Sequence, residues 1–321
     1  VENSLTSIND MDSNDSAVLF ITFNRPESTK IVFEAIKKYK PNKLYIYSDG
    51  PRKDQHDTDL IKILETRKVF ENTIDWECTL NTNFSEINRG CGSGPYTAIN
   101  WGFETEDRLI ILEDDCVPSL SFFSFCNSLL KKYAFDTRIM HISGTRWNEE
   151  FQINNRDYFF TKYAHIWGWA TWKRAWMKYD FEMDDWPSFK KKQTLKYLVN
   201  DYFPLIKRWT YVFDNIYNLK NKHTWDYQWQ FTIFKNNGLC INSTKNLVTN
   251  IGDDGVHTIG RTESHFRKRE ESEMELIEPI YFLPEFEYDE YHGKKFFLMD
   301  RSKSKVFYDI IIGKLKSIFV R

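Results

Sequence analysis

The first half of the chain alternates between two hydrophobic periods. Residues 17–23 (AVLFITF) form a continuous apolar run, the pattern of a strand buried on both faces. Asn24-Arg25-Pro26 stops it, and Pro26 suits a first helical position, after which Ile31, Val32, Ala35, Ile36 and Tyr39 recur at helical spacing. Residues 43–48 (KLYIYS) read as a second strand ended by Asp49-Gly50-Pro51, with helical spacing again over 57–70. A third strand over 76–84 leads into the loop 88–94 (NRGCGSG), then a helix over 95–103 and a buried strand over 108–112 (RLIIL). Glu113-Asp114-Asp115 ends that strand, a helix follows over 119–133, and 138–143 reads as another strand. Strands alternating with helices predict an α/β fold with an open, mostly parallel sheet, which binds ligands outside the carboxyl ends of its strands. The polar clusters at 24–25, 49–50 and 113–115 all fall at such ends.

After Gly144 the pattern becomes rich in Trp and Tyr. Helical stretches fall near 171–179, 188–200, 205–220 and 226–236, and 246–251 reads as a strand. The organisation expected is a disordered leader over 1–16 and an α/β domain over 17–264. That domain divides into a first half, 17–144, and an aromatic-rich half, 145–264. An acidic connecting segment over 265–300 and a basic amphipathic C-terminal helix over 301–321 complete the chain.

Charge and composition narrow the partners. Lys and Arg total 44 against 46 Asp and Glu, a net charge of -2, which argues against nucleic acid as a partner. Five cysteines without C-x-x-C spacing give neither a disulfide framework nor a structural zinc site, and a reducing, cytoplasmic location fits them. No apolar run approaches a membrane span and no signal-peptide pattern opens the chain. Between 301 and 321 six basic residues surround an apolar helical stripe, which predicts peripheral contact with the inner face of an anionic membrane.

Three consecutive carboxylates at a strand end repel one another unless a cation compensates them, and Mg²⁺ or Mn²⁺ prefers oxygen ligands. Strand alternation would turn Glu113 and Asp115 one way and Asp114 the other. Arg25 is a natural partner for phosphate, and the glycine-rich loop at Asn88-Arg89-Gly90 offers backbone N–H groups to an anion. The indoles of Trp167, Trp169 and Trp172 suit the C–H faces of sugars, with Gly168 and Trp169 expected to line a site and Trp172 and Trp176 to brace the core. Asp226, a lone carboxylate among aromatics, has the surroundings of a general base. Asp253, Asp254 and His257 lie in a polar loop after the last strand.

The segment IILEDDCVPSLSFFSF resembles the E-D-D region of nucleotide-sugar transferases similar to N-acetylglucosaminyltransferase I. LFITFNRP resembles their first strand and nucleotide-binding turn, and IYSDG the second. HIWGWATWKRAW and TWDYQWQF resemble motifs of bacterial relatives. The resemblance runs from about residue 17 to 261 and implies a GT-A fold and an inverting, metal-dependent transfer, with 17–264 as the catalytic domain, 17–144 as its nucleotide-sugar half and 145–264 as its acceptor half. It implies that Asp115 holds the metal, Asp114 faces the ribose or sugar, and Glu113 faces the donor sugar hydroxyls. Asp49 would read uracil, and Thr22, Asn24 and Arg25 would wrap the nucleotide, with Asn88 and Arg89 nearby. Asp226 would be the base, and His257 would return to the metal or diphosphate. The expected cofactor is Mn²⁺ or Mg²⁺. The expected partners are a UDP-sugar donor, a glycan or lipid-linked acceptor, and a further copy of the chain in a homo-oligomer. A sugar-1-phosphate nucleotidyltransferase or a non-catalytic carbohydrate-binding protein are the alternatives. The first lacks its glycine-rich basic turn here, and the second leaves the strand-end carboxylates without a purpose.

Overall fold

The computed structural model describes residues 16–219, 222–252, 268–271 and 275–298. The expected α/β class is the one the chain adopts, with a large sheet flanked by helices and an aromatic-rich second half. Strands β1 (Ala17–Thr22), β2 (Lys43–Ser48), β3 (Thr79–Phe84) and β4 (Arg108–Glu113) pair in parallel in the order β3-β2-β1-β4. Helices α1 (Pro26–Tyr39), α2 (His56–Lys68) and α3 (Gly90–Thr105) connect them. All six residues of β1 are buried, as its unbroken apolar run requires of a strand covered on both faces. β5 (Cys116–Pro118) and α4 (Leu120–Lys132) follow, the helix capped by Ser119, whose side chain accepts from the Phe122 N–H.

The sheet continues through β6 (Ile139–Ser143), β7 (Tyr158–Thr161), β8 (Trp169–Trp172) and β9 (Leu239–Ser243). The full order is β3-β2-β1-β4-β8-β6-β9-β7, with β8 antiparallel to both its neighbours and β7 antiparallel to β9. Between β8 and β9 lie α5 (Lys173–Trp176), α6 (Trp186–Lys191), α7 (Leu195–Leu198), α8 (Phe203–Asn218) and α9 (Asp226–Lys235). A short β10 (Val248–Asn250) pairs antiparallel with β5.

Several elements differ from their sequence reading. The glycine loop is helical from Gly90, because the Asp49 carboxylate accepts from the N–H groups of Arg89 and Gly90 and starts the helix there. The helix expected near 171–179 is confined to α5, because 171–172 belong to strand β8: that run lies between β4 and β6, and Thr171 is buried with its hydroxyl on the Met140 carbonyl. The stretch 188–200 breaks into α6 and α7 at Gln193, whose φ is 54°. Strands β7 and β9 are too short to show a period of their own.

Residues 275–298 pack on the body of the molecule instead of running as a connecting segment. Phe160 and Pro284 form a bridge beyond the β7 edge, and α10 (Phe286–His292) buries Tyr288, Asp289 and His292. Thr161 Oγ1 and the Lys162 N–H donate to Asp289, and Tyr288 donates to the Trp147 carbonyl at 3.1 Å. A π turn over 293–297 follows. The basic segment 301–321 lies outside the described residues. Among the described residues no helix is long and apolar enough to cross a membrane.

A buried histidine ties β6 and β8 to α9. His141 stacks on Trp169 at 4.9 Å, donates from Nε2 to the His165 carbonyl at 3.0 Å and accepts at Nδ1 from Trp229 Nε1 at 3.2 Å. Both ring nitrogens are satisfied only in the neutral form with the proton on Nε2. Burial accordingly pushes its pKa from 6.5 down to about 3. This contribution to stability is complete above pH 6.5 and is lost as pH falls toward 3, by up to ~1.4 kcal/mol per pH unit. The His141→Gln chain, which cannot take up that proton, should lose less stability than wild type between pH 7 and pH 5 in urea denaturation. Identical slopes would remove His141 as the acid-sensitive group.

Candidate active site

The carboxyl ends of β1, β2 and β4 meet at one edge of the sheet, since the three strands run parallel and in register. β1 passes its last residue, Thr22, with its hydroxyl on the Tyr47 carbonyl at 3.0 Å. The next N–H, that of Phe23, donates to Asp114 at 3.1 Å. Arg25 then places one guanidinium nitrogen 3.0 Å from Asp114 and 3.3 Å from Asp115. β4 ends at Glu113, so Asp114 and Asp115 sit in a turn. The expected alternation therefore fails there, and both aspartates face the same cation. Asn250, delivered by the β10–β5 pairing, donates to Asp115 at 3.1 Å, and the Cys116 thiol lies 3.3 Å from the same oxygen.

Burial raises the pKa of Glu113, and the charges of Asp115, Asp114 and Asp226 push it the same way. Burial also raises Asp114, against the opposing pull of Arg25. One guanidinium thus offsets a cluster of four acids, a local excess of negative charge that favours a further cation.

Asp49 is buried and nearly saturated. It accepts from the N–H groups of Arg89 and Gly90 and from Asn88 Nδ2, at 3.0, 3.1 and 3.1 Å, with the Tyr47 hydroxyl at 3.4 Å. Burial lifts its pKa while the backbone donors pull it back. Its visible work is to cap α3, with Asn88 and Arg89 as its partners. Asn24 donates to Asp59 at 2.8 Å, and Arg52 holds the same carboxylate through Nε and Nη2 at 2.7 and 2.8 Å. These hydrogen bonds from Arg52 bring Asp59 down to about 2.

Asp226 is the first residue of α9, with Thr224 Oγ1 donating to it. The helix places it on the cleft that Glu113, Asp114 and Asp115 also line. Trp169 is fully buried, packed on Trp176, Trp225 and Trp229, and does not line the cleft. The register that inserts β8 between β4 and β6 turns this indole into the core. Gly168 also lies off the cleft, at φ +65° against Val248, where a side chain would meet Val248 at 2.6 Å. Trp172 and Trp176 are buried, as expected. His257 lies outside the described residues.

One cleft of about 1550 Å³ connects these groups. Thr22, Asn24, Arg25, Asp49, Asn88, Glu113, Asp114 and Asp115 line it together with Asp226. Trp147, His165, Trp167 and Phe296 line it as well. Trp147 lies 5.0 Å from Trp167 and 4.5 Å from Phe296, ring centre to ring centre. Sequence reasoning missed Arg52 and, on the aromatic wall, Trp147 and Phe296; Trp167 it had named for sugar stacking, and Asn250 it placed only in a polar loop after the last strand. Arg52 was legible, because it stands just past the Asp49-Gly50-Pro51 strand end. The wall was not, because Phe296 comes from a segment remote in sequence.

Asp49→Ala should leave the Arg89 and Gly90 N–H groups without their acceptor and cost about 1–3 kcal/mol, read as a lower urea midpoint. A residue serving only to read a base would instead leave the midpoint unchanged.

No protein-family model and no curated protein matches the chain. Among solved structures it is similar to S. aureus TarS, at 10% identity and a TM-score of 0.32, covering 49% of this chain and 28% of that one. It is also similar to S. aureus TarS 1-349, at 10% identity and a TM-score of 0.38, covering 73% of this chain and 59% of that one. The chain spans less than two thirds of both proteins.

Proposed function

We propose that the chain is a metal-dependent, inverting glycosyltransferase of GT-A arrangement. It moves a sugar, an N-acetylhexosamine, from a UDP-sugar to a glycan or lipid-linked acceptor in bacterial surface-polysaccharide synthesis. The observation that carries this reading is the cleft, which holds the strand-end carboxylates and Arg25 at the same place as Asp226 and continues to a tryptophan-lined wall. A carbohydrate-binding module would have no use for the buried acids.

Among the described residues no three His, Cys, Asp or Glu side chains form a metal cage. The donor set fits an ion shared with a substrate: Asp115 offers hard carboxylate oxygen and lies at the acid excess that Arg25 leaves unbalanced. When bound there, Mn²⁺ or Mg²⁺ would neutralise charge on a departing diphosphate.

The chain's own groups supply the remaining steps. Arg25 orients Asp114 and Asp115 and adds a positive charge beside the phosphates. Asp226 accepts the proton of the acceptor hydroxyl, whose oxygen forms a bond to the anomeric carbon. The bond from that carbon to the diphosphate oxygen breaks on the opposite face, and UDP leaves with the electron pair. The indoles offer faces to the acceptor sugar. In this reading the chain works in the cytoplasm, at the membrane face through 301–321.

Two substitutions separate these roles. Asp115→Asn should abolish Mn²⁺-dependent UDP release from UDP-N-acetylglucosamine while leaving the urea midpoint within experimental error. Full activity at limiting Mn²⁺ would contradict the assignment. Asp226→Asn should lower the rate by about 10²–10⁴ with UDP affinity unchanged. If UDP affinity collapses with the rate, Asp226 belongs to donor binding and not to proton transfer.

A further inference from the structure

The cleft holds a cation that the proposed chemistry does not use. Arg208 lines it from α8, in the same stripe as Tyr211, Val212, Asn215 and Ile216, which recur at helical spacing along the cleft wall. Other arginines of the cleft are spoken for: Arg25 lies on Asp114 and Asp115, and Arg52 on Asp59. Lys295, at the aromatic wall, pairs with Glu150. Among the described residues Arg208 makes no ion pair, and its Nε is buried without a hydrogen-bond acceptor. Burying part of a guanidinium without a counter-charge is costly, and an acidic ligand in the cleft that Arg208 lines offsets that cost.

The position of α8 says which part of the ligand would do so. α8 packs on α9, the helix that opens with Asp226, and on the π turn carrying Phe296 and Phe297. Tyr227 and Gln230 of α9 line the cleft beside it. Arg208 therefore belongs to the α8–α9 wall, whereas the donor end is built from β1, β2, β4 and α3. A planar guanidinium takes the two oxygens of a phosphate or carboxylate side by side, and Tyr211 and Asn215 add hydrogen-bonding groups along the same stripe.

We propose that Arg208 is an acceptor-specificity residue, reading a phosphate or carboxylate carried by the acceptor glycan. This rests on the transferase reading above, and it narrows the acceptor to an anionic glycan.

The test uses the full chain saturated with UDP and Mn²⁺, so that the donor end is filled. UDP binding is itself recorded first, and its absence counts against the transferase reading alone. Three probes are then titrated by calorimetry: methyl glucoside, methyl glucuronoside and methyl glucoside 6-phosphate. At least one anionic probe should bind about tenfold more tightly than the neutral one, the size of a charge-assisted contact. The comparison of uronate with phosphate identifies which anion the acceptor bears. The Arg208 Nε–Hε resonance, assigned by its loss in Arg208→Gln, should shift with that probe and not with methyl glucoside. Arg208→Gln should abolish the preference with UDP affinity intact, and Arg208→Lys should keep part of it. Equal binding of all three probes overturns the proposal. So does an anion preference that survives in Arg208→Gln, or an unmoved Nε–Hε resonance in the wild-type chain, which needs no variant to fold.

Discussion

The contact between Arg25 and the Asp114-Asp115 turn organises the molecule's acid edge. Parallel strands bring the ends of β1 and β4 together, and hydrophobic burial accounts for that much. It also leaves Glu113, Asp114 and Asp115 crowded at a half-buried rim, where like charges repel strongly. Arg25 and the Phe23 N–H, both from the segment just after β1, satisfy Asp114 and draw Asp115 alongside. The same contact fixes the path of the chain from β1 into α1.

What surrounds this contact divides into support and opening. Asp49 spends its lone pairs on the start of α3, and Asp59 spends its own on Asn24 and Arg52, so both stiffen the loops at the strand ends. Asp115 and Asp226 are less fully committed and face the cleft. The second half of the chain supplies the far wall. Its tryptophans serve two ends: Trp169, Trp176 and Trp229 make a core against the sheet, Trp147 and Trp167 reach the cavity, and Trp225 does both. The C-terminal segment closes that wall by burying Tyr288 and His292 and presenting Phe296.

The parallel half of the sheet was legible because each of its strands is an apolar run ended by a polar cluster, and helical periods separate them. Arg25, Asp114 and Asp115 were legible for the same reason, as polar groups at strand ends. The direction of each carboxylate was not, since the strand stops at Glu113 and the turn, which a period of two does not describe, sets the two that follow. Trp169 was misplaced for a tertiary reason: nothing local says that WATW inserts between β4 and β6, and that insertion alone buries the indole. The part played by 275–298 was hidden by composition. Its acidic residues read as a solvated connector, yet Asp289 is buried with Thr161 Oγ1 and the Lys162 N–H as donors, and Tyr288 and His292 carry the packing.

The central claim is that a divalent cation and a uridine diphosphate are held together at the Asp115 end of the cleft. Linkage makes this measurable, because each ligand must tighten the other by the same factor. Calorimetric titration of UDP into the full chain, with and without Mn²⁺, is the direct measurement. The account predicts that Mn²⁺ strengthens UDP binding at least about tenfold, a coupling of ordinary size, and that UDP strengthens Mn²⁺ binding equally. UDP affinity that is the same in Mn²⁺ and in a chelator would contradict it.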